Sequence, residues 1–255
     1  MLLVLDAGNT NVTIGVYDGD RLATAWRLRT DRDQTADEWG IKLRQLFTIA
    51  GLKLEHVAGM AIASVVPPVD RPLAEMCRRY FNADPLFLTV DLDLGIRVDI
   101  DNPREAGADR LANAAAAYAE HGGPCVVVDF GTAMNFDVVS RDGAFLGGLI
   151  CPGIGLAASG LYQKTARLPL VDFRQPRSLI GRNTIDCIQS GLYFSVVSAV
   201  DGILERLAAE LGSDTRFIAT GGQAELIRGG SRHLKIVDPD LTLKGLLLAW
   251  RKNRA

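Results

Sequence analysis

The chain has 255 residues, with 28 lysines and arginines against 30 aspartates and glutamates for a formal net charge of −2 and a sequence pI near 5.9. That balance leaves no basic surplus to neutralise a nucleic-acid backbone, and 48% hydrophobic with 23% charged residues excludes disordered and fibrous classes. The length suits one large domain or two modest ones, each able to bury its own apolar core.

In chain order, the first 30 residues predict three strands. Leu2 to Leu5 is a short apolar run, Val12 to Tyr17 alternates, and Leu22 to Leu28 follows a turn at Asp18-Gly19-Asp20. The first run stops at Asp6, too short for a signal peptide, and no apolar run is expected to approach the roughly 20 residues of a membrane span. Residues 37–50 carry helical spacing in Trp39, Leu43, Leu46, Phe47 and Ala50 and stop at Gly51. A strand over 57–65 ends at Pro67-Pro68 and a helix follows over 69–81. Strands near 86–90 and 96–100 precede an alanine-rich helix over 108–120, closed by Gly122-Gly123.

The pattern then restarts. Strands are expected over 125–128, 135–140 and 145–151, and helices over 155–167 and 184–211. Phe217 to Thr220 is a strand running into Gly221-Gly222 and a short helix; a strand near 234–237 and a helix over 241–252 close the chain. The helix after Asn183-Thr184 is unusually apolar and reads equally as a core helix or a dimer seam. The expected division is into domains 1–120 and 121–255. Cys77, Cys125, Cys151 and Cys187 lie far apart without a C-x-x-C spacing, and His56, His121 and His233 stand alone. That pattern gives no zinc signature. It predicts reduced thiols, a cytoplasmic protein, and oxygen ligands for any metal.

The two restarts match. Leu2-Leu3-Val4-Leu5-Asp6-Ala7-Gly8-Asn9-Thr10 sets an apolar strand, an aspartate, a glycine two later and small polar residues. Val126-Val127-Val128-Asp129-Phe130-Gly131-Thr132-Ala133 repeats that order 123 residues on. A repeat with the same strand–turn–strand order in each half reads as duplication. An aspartate leaving a buried strand can hold a hydrated Mg²⁺, and the amide groups of a tight glycine turn converge on phosphate oxygens. Thr220-Gly221-Gly222 adds a strand-to-turn segment where a flat ring or a phosphate can approach the backbone. Gly107-Ala108-Asp109-Arg110 opens a helix. Asp109 there either complements the helix dipole or accepts a proton from an alcohol, with Arg110 placing an anionic group.

Taken together these residues resemble the ASKHA superfamily of acetate and sugar kinases and actin, and within it the type III pantothenate kinase family. The resemblance spans essentially the whole chain. It rests on Asp6-Ala7-Gly8-Asn9-Thr10-Asn11, on Asp101-Asn102-Pro103 leading to Gly107-Ala108-Asp109-Arg110, and on Asp129-Phe130-Gly131-Thr132-Ala133. Pro152-Gly153-Ile154, Thr165-Ala166-Arg167-Leu168-Pro169, Gly181-Arg182-Asn183-Thr184 and Thr220-Gly221-Gly222 support it. It implies an α/β fold of two duplicated RNase H-like (actin-like ATPase) domains, each a mixed five-stranded sheet with flanking helices. It implies ATP-dependent phosphorylation of the 4′-hydroxyl of pantothenate, the first step of coenzyme A synthesis.

Residue by residue, the resemblance implies that Asp6, Ala7, Gly8, Asn9, Thr10, Asn11, Val12 and Thr13 hold the ATP phosphates, with Asp6 organising Mg²⁺. Gly107, Ala108, Asp109 and Arg110 would bind pantothenate, Asp109 as general base. Asp129 would hold a monovalent cation, K⁺ or NH₄⁺, and Thr132 would contact ATP. Thr184 would reach pantothenate across a homodimer interface. One position departs from the pattern: the family commonly has threonine two residues after Gly-Thr-Ala, where this chain has Asn135. Two alternatives are another small-molecule kinase of the superfamily, which should lack Gly107 to Arg110, and a non-catalytic regulatory homologue. The latter predicts loss of Asp6, Asp109 or Asp129, and all three are present.

Overall fold

In the computed structural model, which describes residues 1–254, β1 (Leu2–Ala7) lies at the centre of the first sheet. Its sequence requires that place: Leu2, Leu3, Val4 and Leu5 are all buried, so both faces of the strand must be covered. It pairs antiparallel with β2 (Asn11–Asp18), which pairs with β3 (Arg21–Arg29). On its other side it runs parallel to β4 (Gly59–Ser64), which pairs with β5 (Leu86–Phe87), giving the order β3-β2-β1-β4-β5. Leu3, Leu5, Val12, Ile14 and Val16 form one apolar face. It packs with Trp39, Leu43 and Phe47 of α1 (Ala36–Ile49) and with Val69, Leu73 and Met76 of α2 (Pro67–Phe81). The second helix begins two residues before the expected start, because Pro67 and Pro68 sit in its first turn, where the missing N–H groups need no partners.

The opposite face is covered by the C-terminal helix α7 (Leu241–Arg254), which packs on β1, β2 and β4. Glycines make that approach possible: a Cβ on Gly59 would fall 2.1 Å from the Trp250 ring, and one on Gly15 3.0 Å from Leu243. A Cβ on Gly245 would fall 2.1 Å from the carbonyl oxygen of Ala112, in α3 (Ala108–His121). The first unit is therefore discontinuous, comprising Met1–Ala116 and the segment from Leu241 onward, and the second is Ala117–Asp240. This differs from the expected division at 120/121, which left the last helix with the second half; the helix joins the first because Leu243 and Trp250 fill the space above Gly15 and Gly59. A short strand, β6 (Arg97–Val98), follows β5 in the first unit.

The second unit repeats the plan. Its strands β7 (Cys125–Phe130), β8 (Ala133–Val139), β9 (Ala144–Pro152), β10 (Arg216–Gly221) and β11 (Ile236–Val237) run in the order β11-β10-β7-β8-β9. The central β7 is antiparallel to β8 and parallel to β10, as β1 is to β2 and β4. Val126, Val128, Phe130 and Phe136 pack with Ile227 of α6 (Ala224–Arg228) and with α5 (Thr184–Leu211); α4 (Ile154–Lys164) flanks them. The long α5 is apolar and long enough, by length and composition, to cross a membrane, contrary to the expectation that no segment was. Ile188, Leu192, Val196, Val200 and Leu204 recur along it at helical spacing and are buried within its own unit. It is mainly a core helix.

Candidate active site

The first hairpin builds its turn from three residues. Ala7 pairs with Val12 and Asp6 with Thr13, leaving Gly8, Asn9 and Thr10 between the strands. The Gly8 N–H donates to the Asn11 carbonyl at 3.0 Å. A Cβ on Gly8 would lie 3.2 Å from that oxygen, so the close turn favours glycine. Alternation along β1 turns Asp6 away from the face that carries Leu5 and Ala7. The turn is held from outside by Thr30, whose hydroxyl donates to the Gly8 carbonyl at 2.6 Å and whose N–H donates to the Thr10 carbonyl at 2.9 Å.

Gly107 to Arg110 come to the same place. Val65, just beyond β4, donates its N–H to the Ala7 carbonyl at 3.1 Å. Its side chain lies 3.5 Å from where a Cβ on Gly107 would stand. One residue thus links the end of β1 to the segment opening α3 within the first unit. The Asp109 carboxylate accepts the Arg110 N–H at 2.8 Å and presses against Gly107, where a Cβ would fall 2.6 Å from its Oδ1. Burial pushes the Asp109 carboxyl above its ordinary value, against the opposing pull of that N–H and of the Arg110 guanidinium. A cavity of about 440 Å³ lies between Ser64, Leu88 and Thr89 on the strand side and Asp70, Arg71 and Ala74 on α2.

The second hairpin is one residue tighter. Asp129 pairs with Asn135 and Phe130 with Met134, leaving only Gly131 and Thr132 in the turn, and the Gly131 N–H donates to the Ala133 carbonyl at 3.0 Å. Two other glycines press on it. A Cβ on Gly153 would fall 2.1 Å from the Thr132 carbonyl oxygen, and one on Gly221, whose φ is +88°, would fall 2.6 Å from Asp129 Oδ1. Directly paired residues of an antiparallel ladder project to the same face, so Asn135 stands beside Asp129. Its amide Oδ1 is buried and has no hydrogen-bond partner. Pairing register, not the sequence, exposes this relation.

Thr184 is the first residue of α5 and is exposed; the cap is Asn183, whose side chain accepts the Asp186 N–H at 2.9 Å. Thr184, Asp129 and Thr132 belong to the second unit, whereas Asp6 to Thr13 and Gly107 to Arg110 belong to the first. Gly221, read from the sequence as a point of close ligand approach, has a local reason for being glycine in the Asp129 carboxylate.

A family model described as type III pantothenate kinase matches residues 2–206. The chain is 54% identical over 253 residues to a type III pantothenate kinase of Solibacter usitatus, covering 99% of this chain and 97% of the relative. It is 49% identical over 254 residues to one from Anaeromyxobacter sp., covering both in full. Among solved structures it resembles an activator of 2-hydroxyisocaproyl-CoA dehydratase from Clostridium difficile with bound ADPNP. There the TM-score is 0.54 at 13% identity, over 97% of this chain and 92% of that one, a likeness of fold.

Proposed function

The chain belongs to the type III pantothenate kinase family, and from that membership we propose how its own residues carry out the reaction. The reaction is ATP-dependent phosphorylation of pantothenate to 4′-phosphopantothenate, the first step of coenzyme A biosynthesis. The observation that carries our assignment of roles is that Val65 bonds to Ala7 at the base of the first hairpin and lies beside Gly107, against which the Asp109 carboxylate rests. Phosphoryl transfer to an alcohol asks the protein for position and charge more than for covalent chemistry. Asp109 takes the proton of the 4′-hydroxyl as its oxygen forms the new bond to the terminal phosphorus, and ADP leaves with the bridging electrons. A carboxyl raised by burial is a stronger base than an ordinary one. Arg110 and the backbone of Gly107 and Ala108 orient pantothenate.

The turn of residues 8–10 and its flanking positions 6, 7 and 11–13 cradle the ATP phosphates, and Thr132 contacts ATP from the second hairpin. Among the described residues no three His, Cys, Asp or Glu side chains cluster as metal ligands. Asp6 would hold a divalent ion that, like Mg²⁺ elsewhere, keeps water and phosphate oxygens as its other ligands. The second hairpin suits a monovalent cation: the Asp129 carboxylate and the orphaned Asn135 Oδ1 are hard oxygen donors on one face. A K⁺ or NH₄⁺ held there would supply positive charge without demanding a fixed geometry.

A homodimer is supported by apolar side chains that the second unit leaves exposed, among them Ile150 of β9, Leu156 of α4, and Leu170, Leu179 and Ile180 of the segment before α5. Thr184 then reaches pantothenate as part of that assembly. Four free cysteines support a reducing, cytoplasmic setting. The deciding experiment follows ADP release with and without pantothenate, in K⁺ and in Na⁺ buffer. Turnover should require pantothenate and fall when Na⁺ replaces K⁺. ADP release that ignores pantothenate would overturn the acceptor assignment, and equal rates in both salts would overturn the cation site.

A further inference from the structure

We propose that Arg32 is an additional phosphate-binding residue, presented by the loop of residues 30–35 to the polyphosphate tail of the nucleotide. The inference rests on the assignment of residues 6–13 to phosphate binding. The loop leaves β3 at Arg29 and is fixed at both ends. At its start, Thr30 is bonded to Gly8 and Thr10, two of the three turn residues. At its end, Thr35 caps α1: the Thr35 N–H donates to the Glu38 carboxylate at 2.8 Å, and the Glu38 N–H donates to the Thr35 hydroxyl at 3.3 Å. Gln34 is buried just before that cap. Six residues without regular structure are thereby held against the first hairpin.

Arg32 sits in the middle of this loop, and its Nη2 approaches Asn9 Oδ1 at 3.4 Å. The neighbouring Asp31 turns its carboxylate back onto the Asp33 N–H at 3.1 Å, and neither Asp31 nor Asp33 pairs with Arg32. A guanidinium offers five N–H donors in a fixed fork. One of them is directed at the turn by the neutral Asn9 amide, and the fork stands beside the turn assigned above to phosphate binding. Arginine in that setting recognises phosphate bidentately.

The test compares wild-type protein with Arg32→Ala and Arg32→Lys, titrating ATP and AMP by calorimetry without pantothenate. For Arg32→Ala, ATP should bind about tenfold or more weakly, as expected for loss of a hydrogen bond between charged groups. AMP affinity should stay within twofold, and added guanidinium chloride should restore part of the ATP affinity. Arg32→Lys, which keeps the charge without the fork, should fall between and serves also if the alanine variant fails to fold. Unchanged ATP affinity in either folded variant would overturn the proposal. Equal weakening of ATP and AMP without guanidinium rescue would also overturn it, reducing Arg32 to a support of the turn. If wild-type protein binds no ATP, the phosphate assignment of residues 6–13 fails first, an outcome distinct from the other two.

Discussion

Asp109 is placed where its charge is costly, and that cost can be measured apart from its chemistry. Its carboxyl is raised by burial in the folded protein. The sign is that of a group contributing most to stability below its unfolded value, near 3.8, and losing that contribution as pH rises through the higher folded value. Asp109→Asn should therefore unfold at the same temperature as wild type in strong acid and at a higher temperature at neutral pH. Turnover should nevertheless fall by about 10²- to 10⁴-fold. Thermal scans at several pH values, with kcat measured alongside, check both halves, and a variant that keeps wild-type turnover would remove Asp109 as the base. For the same reason the acid limb of the wild-type pH–rate profile should lie above the range of an exposed aspartate. Asp109 was legible in the sequence because Gly107-Ala108-Asp109-Arg110 opens a helix and matches a motif of the family the chain resembles. Arg32 and the oxygen of Asn135 were not, since one depends on where a loop lands and the other on which residue lies across a ladder.

At the level of elements the two hairpins show how far a repeat can be read. Their order, an apolar strand, an aspartate and a glycine turn, appears directly in the residues, and the structure gives both the same pairing to a parallel neighbour. The one-residue difference in turn length follows from register and was hidden. The tighter turn depends on glycines contributed by distant segments. Gly221→Ala would place a methyl group 2.6 Å from Asp129 Oδ1 at a φ of +88°. It should destabilise the protein by more than about 1 kcal/mol and weaken any response of the melting temperature to K⁺. Urea unfolding and K⁺ titrations would show this; an unaltered variant would mean that the Asp129 turn tolerates displacement. The long α5 was expected equally as core or as seam. Its burial decides mostly for core and moves the exposed apolar surface to β9, α4 and the segment before α5.

For the whole molecule, that exposed surface leads to a prediction about assembly. Ile150 is 66% exposed and Leu156 53%, and a charge at either site should prevent two copies from associating. Ile150→Glu should elute as a monomer in light-scattering chromatography while wild type elutes as a dimer; a wild-type monomer would refute the interface. Most elements of both units were legible from periodicity and turn residues, but the ownership of α7 was not. Long-range packing of Trp250 against Gly59 leaves no mark in either local pattern. That ownership bears on synthesis. The second unit is one unbroken stretch of chain and can fold as soon as it has emerged from the ribosome. The first must hold the bare back of its sheet, around Gly15 and Gly59, until the segment from Leu241 arrives to cover it. The strands of the first sheet, made before the second unit, thus reach their native surroundings after it, and the 117–240 stretch is in effect an insertion that folds while its host waits.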